Sequence, residues 1–240
     1  MYRTFHRLLP LVTLLVTLAS VRCEDSLQAV DDAELTKLIK EEKFVVALFC
    51  TAANEERCEE FEGELTGIRE DAIDVMEGDG WVVKVVDSSI MDQYYVGKTE
   101  QPVIIMFRNS LPVIYNGECV CVWREKTLAY IIYLLFTGPA NEEVMLETLV
   151  RMKEPGVQEL TDSTFEHLTQ AATGATTGDW LVMFFTPSCA LCTRLTAALE
   201  TVACQQRGRA SVASVNKETY GEKTGRRFEL GLGDQPDIIL

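Results

Sequence analysis

Two apolar runs set the frame of the chain. Phe44 to Phe49 and Trp180 to Phe185 are short, almost unbroken and bounded by polar residues, the pattern of strands buried on both faces of a parallel sheet. Around the first run, Ser26 to Val30 reads as a strand, and Asp31 with Glu34 three residues on is a capping-box signature. It opens a helix carrying Leu35, Leu38 and Ile39 that ends near Lys43. Beyond the run, Cys58, Phe61 and Leu65 recur at helical spacing, Trp81 to Asp87 reads as a strand, and a short helical piece passes through Tyr94 and Tyr95. Gln101-Pro102 then leads into a hairpin, Val103 to Phe107 and Val113 to Tyr115 around a turn at 108–112. A helix over 125–136, with Leu128, Ile131, Ile132 and Leu135 on one stripe, closes the unit before Gly138-Pro139.

After a helical connector the order begins again. Val157 to Leu160 is a strand, Asp162 or Ser163 caps a helix through Phe165 and Leu168, and the second buried run follows. Cys189 to about Gln205 reads as a long helix with Leu195, Leu199 and Val202 inward, and Ser211 to Val215 as a strand. A short helix leads through Phe228 to Gln235-Pro236 and the start of a strand at Asp237. The repeat therefore predicts a second unit that is C-terminally incomplete, lacking its hairpin partner and last helix, as a fragment or truncated product would be.

At the other end, basic residues precede an apolar stretch from Leu8 to Ala19 that is short for a membrane span, so residues 1–23 read as a signal peptide. The expected division is 24–139 for the first unit, 140–156 for the connector and 157–240 for the second unit. Entry into the secretory route permits disulfides, and loss of Cys23 with the leader leaves an odd number of cysteines, so they are not all structural bridges. Charge is uneven: residues 24–150 hold 26 acidic against 10 basic side chains, and residues 151–240 hold 11 against 9. So acidic a surface disfavours nucleic acid and anionic lipid as partners. Its cluster Glu55, Glu56, Glu59, Glu60, Glu62 and Glu64 fits a solvated helix face, with weak calcium binding as the alternative.

The chemistry concentrates in Phe185-Thr-Pro-Ser-Cys189-Ala-Leu-Cys192. Cys189 falls at a helix N-terminus, where unpaired amides and the helix dipole favour a thiolate, and Cys192 lies one turn inward on the same side. Half a zinc site has the same spacing, but no second pair or nearby histidine completes it, and no metal or cofactor is expected. With these residues the order of elements resembles, twice over, the thioredoxin fold, and the chain resembles a member of the protein disulfide isomerase family. The resemblance implies two tandem thioredoxin-like folds of the α/β class, each a central mixed sheet flanked by helices. It also implies a thiol–disulfide oxidoreductase of the endoplasmic reticulum lumen acting on cysteine-containing or unfolded secretory proteins. Cys189 would be the attacking sulfur and Cys192 the resolving one. Pro236 would match the family's cis-proline, and Gln235 the backbone edge that pairs with substrate.

Departures from the family pattern bear on this reading. Met183 stands six residues before Cys189, where the family's proton-accepting carboxylate belongs, Ser188 replaces a tryptophan, and Ala190-Leu191 lacks the histidine of strong oxidants. In the first half only Cys58 matches a motif cysteine, with Glu55 at the attacker's place, which resembles the family's noncatalytic binding domains. Cys58 is a candidate to bridge Cys119 or Cys121, while Cys50 and Cys204 read as small packed hydrophobes. A chaperone-like binder or an acidic calcium-binding scaffold is the alternative to an enzyme.

Overall fold

A computed structural model of the chain describes residues 26–94, 101–115, 140–174, 177–233 and 235–240. The expected leader, the helix over 125–136, Cys119 and Cys121 lie outside the described residues.

The first sheet has β1 (Gln28–Ala29), β2 (Phe44–Cys50), β3 (Gly80–Val86), β4 (Val103–Arg108) and β5 (Leu111–Ile114) in the order β1-β3-β2-β4-β5. The first three are parallel, as crossover helices require, and β4 and β5 are antiparallel. The hairpin is tighter than its sequence suggests. Arg108 pairs with Leu111, so the turn is only Asn109 and Ser110, both at positive φ as a two-residue turn demands. Pro112 sits in β5, where the outer position of the strand tolerates its missing N–H.

Alternation along β2 divides the core. Phe44, Val46 and Leu48 face one layer with α2 (Glu55–Gly67), α3 (Arg69–Val75) and α5 (Glu142–Met152). Val45, Ala47 and Phe49 face the other with α1 (Asp32–Glu41) and α4 (Met91–Tyr94). Asp31 caps α1 by accepting the Glu34 amide at 2.8 Å. The connector helix α5 is part of this core: Met145, Leu149 and Met152 are buried beside Phe61 and Leu65. Glu77 ties it back to the first sheet, for Lys43 and Lys153 both bond its carboxylate and hold that group's pKa down to about 2.

The second sheet has β6 (Val157–Leu160), β7 (Asp179–Phe185), β8 (Ala210–Asn216) and β9 (Asp237–Ile239) in the order β6-β8-β7-β9, with β9 antiparallel. One face packs on α6 (Phe165–Thr169) and α8 (Glu222–Arg227) through the rings of Phe165, Phe184 and Phe228. Asp162 does not cap α6. Its carboxylate instead accepts from the amides of Lys223 and Thr224 in the first turn of α8, whose open amides offer a longer-range partner, and Leu168 is exposed.

On its other face the second sheet meets α7 (Ala190–Gln206), and this helix is enclosed almost all round, with Leu195 and nine of the ten residues from Ala197 to Gln206 buried. Sequence periodicity gave it a single inward stripe. The second wall comes from the first unit: α7 packs along β5 and touches α4, so Leu181, Met183, Leu195 and Leu199 share one cluster with Val45, Ile105 and Ile114. Ala197, Ala198, Thr201 and Ala203 are small enough to allow this approach. Gly156 is needed for the same reason, since a Cβ there would lie 2.6 Å from the Cβ of Ala203.

Most polar groups at the junction find partners, although Arg108 Nε is buried without one among the described residues. The Thr201 hydroxyl accepts the Ile114 amide and lies 2.9 Å from the Ile114 carbonyl, satisfying the outer side of β5 that would otherwise be an open sheet edge. Arg108 and Glu200, 2% and 3% exposed, form a buried ion pair between the units. Arg108 also donates to the Met152 carbonyl, and Glu200 accepts the Gly156 amide at 3.0 Å.

Candidate redox site

Strand β7 delivers the chain to the carboxyl end of the second sheet, and a three-residue loop, Thr186-Pro187-Ser188, turns it into α7. Cys189 is the N-cap, with φ −76° and ψ 100°. Its amide bonds the Thr186 carbonyl at 3.1 Å, its carbonyl accepts from Cys192, and its sulfur accepts the Cys192 amide at 3.0 Å. An N-cap acceptor that is sulfur rather than oxygen is a site where negative charge on that sulfur is stabilised. The first turn of α7 carries no acidic residue to oppose it.

Cys189 and Cys192 are joined as a disulfide with Cα atoms 5.2 Å apart. They are 1% and 3% exposed, while Pro187, Ser188, Ala190 and Thr193 around them are open to solvent. The exposed residues immediately around the disulfide are thus uncharged and small.

Gln235 and Pro236 lie at the same end. Phe184 pairs with Asp237, which sets Pro236 beside the last residue of β7, and Thr186 Oγ1 donates to the Gly233 carbonyl at 3.3 Å. Gln235 is exposed and Pro236 half-buried. The structure differs from the expected cis bond: no cis peptide occurs among the described residues, and the bond before Pro236 is trans. Met183 is buried against α7, so no carboxylate stands at that position behind Cys192.

The first unit corrects two expectations. Cys50, at the end of β2, is not a packed thiol but is bonded to Cys58 in the first turns of α2, with Cα atoms 5.9 Å apart. Cys58 is therefore not free to bridge Cys119 or Cys121. The physical reason is that a strand end and the helix that follows it converge, so a cysteine at each comes within bridging distance across a short loop. The signal was present as two cysteines at the edges of that loop, but the expected two-residue spacing hid it. The loop is braced: Thr51 donates to Asn54 Oδ1, and Arg57 reaches Gln101 Oε1 at 3.1 Å. Glu55 is exposed at the first position of α2, and Glu55, Glu56, Glu59 and Glu60 together disfavour a thiolate there. Replacing both Cys50 and Cys58 by alanine should cost about 2–3 kcal/mol of stability, as loss of so short a closed loop predicts. Urea unfolding without reductant measures it, and an unchanged midpoint would refute it.

The remaining acidic cluster is spent on local contacts: Glu62 on Lys84 and the Leu27 amide, Glu60 on Arg57, Glu64 on the Glu142 amide. Among the described residues no three metal-ligating side chains gather at one point. Cys204, on α7, is buried with a free thiol whose pKa is raised by desolvation. No helix of the described residues is long and apolar enough to cross a membrane.

Two mixed sheets of this order, the second leading by strand and loop into a helix capped by one sulfur of a Cys-x-x-Cys disulfide, define a protein of tandem thioredoxin-like folds. Over 71 residues the chain is 42% identical to a thioredoxin domain-containing protein of Theileria parva, a match covering 30% of this chain and 32% of that one, so it spans about a third of that relative. No protein-family model matches. Among solved structures it is similar to full-length ERdj5, at 17% identity and a TM-score of 0.45 over 89% of this chain and 27% of that one. Zinc-bound human ERp44 gives 15% and 0.36 over 90% and 53%. The first two thioredoxin domains of Eps1p from Naumovozyma dairenensis give 11% and 0.33 over 85% and 78%.

Proposed function

We propose that the chain is a thiol–disulfide oxidoreductase of the secretory pathway, working in the lumen of the endoplasmic reticulum on the cysteines of other proteins. The observation that carries this reading is the amide of Cys192 bonded to the sulfur of Cys189, which prepares that sulfur to bear charge. In the reduced chain the Cys189 thiolate attacks one sulfur of a substrate disulfide. That bond breaks, the departing sulfur leaves as a thiolate and takes a proton from water, and a mixed disulfide forms. Cys192 loses its proton to water and attacks Cys189, releasing the second substrate thiolate. Two electrons have then passed to the substrate, leaving the Cys189–Cys192 disulfide found here. Run backwards, the same steps oxidise a substrate dithiol. Gln235 and Pro236 supply the neighbouring backbone edge.

A second reading, a noncatalytic binder of unfolded chains, is favoured by the apolar Met183, which leaves the Cys192 proton to water. One experiment separates them. Reduced protein is mixed with a disulfide-bonded peptide and quenched in acid. Cys192→Ser should accumulate a mixed disulfide on Cys189, and Cys189→Ser should form none. A parent chain that reduces the peptide no faster than Cys189→Ser, with both at the rate of buffer alone, rules the enzyme out in favour of the binder.

A further inference from the structure

Where the connector helix α5, strand β5 and the tail of α7 meet, Ile114, Thr148, Met152, Thr201 and Cys204 line a cavity of about 20 Å³. Arg151, which is exposed, and Gln205, which is half-buried, complete the lining, so the cavity opens to solvent between them. Space of this size admits one water or a molecule little larger. Two groups on its wall have no part in the exchange steps. Thr148 is 9% exposed, and its hydroxyl has no hydrogen-bond partner among the described residues. A buried hydroxyl left in this way costs stability and marks a place for a polar guest. Cys204, 7% exposed, carries a free thiol, while the other four described cysteines are bonded in pairs. Burial raises the pKa of that thiol, Glu200 adds to the rise, and Arg108, which bonds the sulfur, opposes it.

We propose that Cys204 is an oxidation site for hydrogen peroxide, and that the cavity beside it holds the product as a sulfenic acid. Peroxide is close to water in size and in hydrogen bonding, whereas glutathione and alkylating reagents are too large for this space. The Cys204 thiolate attacks one peroxide oxygen. An S–O bond forms as the O–O bond breaks, and the departing hydroxide takes up the proton that the thiol lost, giving water. The sulfur is oxidised by two electrons and the peroxide is reduced by the same two. The new hydroxyl enters the cavity, where Thr148 Oγ1 is the open partner. A sulfenic acid ordinarily condenses with any thiol that reaches it, so a space closed to thiol compounds leaves it standing. Neutral thiol predominates at Cys204, which makes the step slow, and the guanidinium on the sulfur favours the fraction that reacts. The site stands apart from the exchange chemistry at Cys189 and does not depend on it.

The test compares two reagents on the full chain in its disulfide form at neutral pH: hydrogen peroxide and iodoacetamide, each calibrated on free cysteine. Peroxide-treated protein is cleared with catalase and unfolded in dimedone. The tryptic peptide 195–207, whose sole cysteine is Cys204, is then read by mass spectrometry. Both reagents need the thiolate, so the raised pKa cancels from their ratio. Relative to free cysteine, iodoacetamide should be suppressed at least about tenfold more than peroxide, because the cavity excludes the larger molecule. Equal suppression would mean that Cys204 reacts only when the junction opens, and it overturns the inference, as does the absence of a dimedone adduct. Thr148→Val keeps the shape of the wall and removes the hydroxyl, so it should lower the sulfenic acid yield several-fold, while Thr148→Ser should keep it. An unchanged yield in Thr148→Val also overturns the inference, since the product would then not be held there. Should Thr148→Val fail to fold, the ratio of the two reagents on the parent chain decides alone.

Discussion

Glu200→Ala is expected to lower the unfolding free energy by about 3–5 kcal/mol, because it strands the Arg108 guanidinium in a dry interface. Arg108 is 2% exposed, and its described partners there are Glu200, the carbonyl of Met152 and the neutral thiol of Cys204. The same change removes the acceptor of the Gly156 amide at the start of the second unit. Desolvation of an uncompensated charge dominates, not the attraction lost, so the double variant Arg108→Met, Glu200→Met should recover most of the deficit. Urea unfolding of the single and double variants measures both. A single variant costing under about 1 kcal/mol would mean that water reaches this pair, and the junction would not be closed as described.

Phe184→Ala should cost a similar amount, about 3–5 kcal/mol, for a different reason. Phe184 is fully buried in the small cluster between the second sheet and helices α6 and α8, with the rings of Phe165 and Phe228 at 6.1 and 5.6 Å. The cluster is small, with six buried residues and four partly buried ones around them, so the space left would be filled only in part. Phe184→Leu keeps most of the volume and should lose well under half as much. Calorimetry compares them, and equal losses for the two would show that aromatic geometry, not volume, holds this layer.

The path from sequence to these features was uneven. The two strand runs, the parallel core order and the cap at Asp31 are short-range or strongly patterned, and the structure places them within a residue or two of expectation. The Cys-x-x-Cys at the head of α7 was legible for the same reason: cap, spacing and preceding strand all lie within a dozen residues. What escaped was long-range. Nothing local to Thr201 announces that its hydroxyl will serve Ile114, 87 residues earlier, or that Glu200 will face Arg108. A run of alanines and threonines in α7 was the available hint of a crowded helix, but periodicity registers large apolar side chains and passes over small ones. The Asp162 carboxylate was drawn to the wrong helix because a cap is read from neighbours in sequence, and its amide partners lie about sixty residues away.

Residues 197, 198 and 203 are buried in a cluster drawn from both repeats, and residue 201 bonds Ile114 of the first. A side chain there must fit both at once, so drift in either repeat is transmitted to the other. Few substitutions can survive at these places. A duplicated architecture would then lose the freedom duplication normally grants, since its copies could change only in concert along this helix.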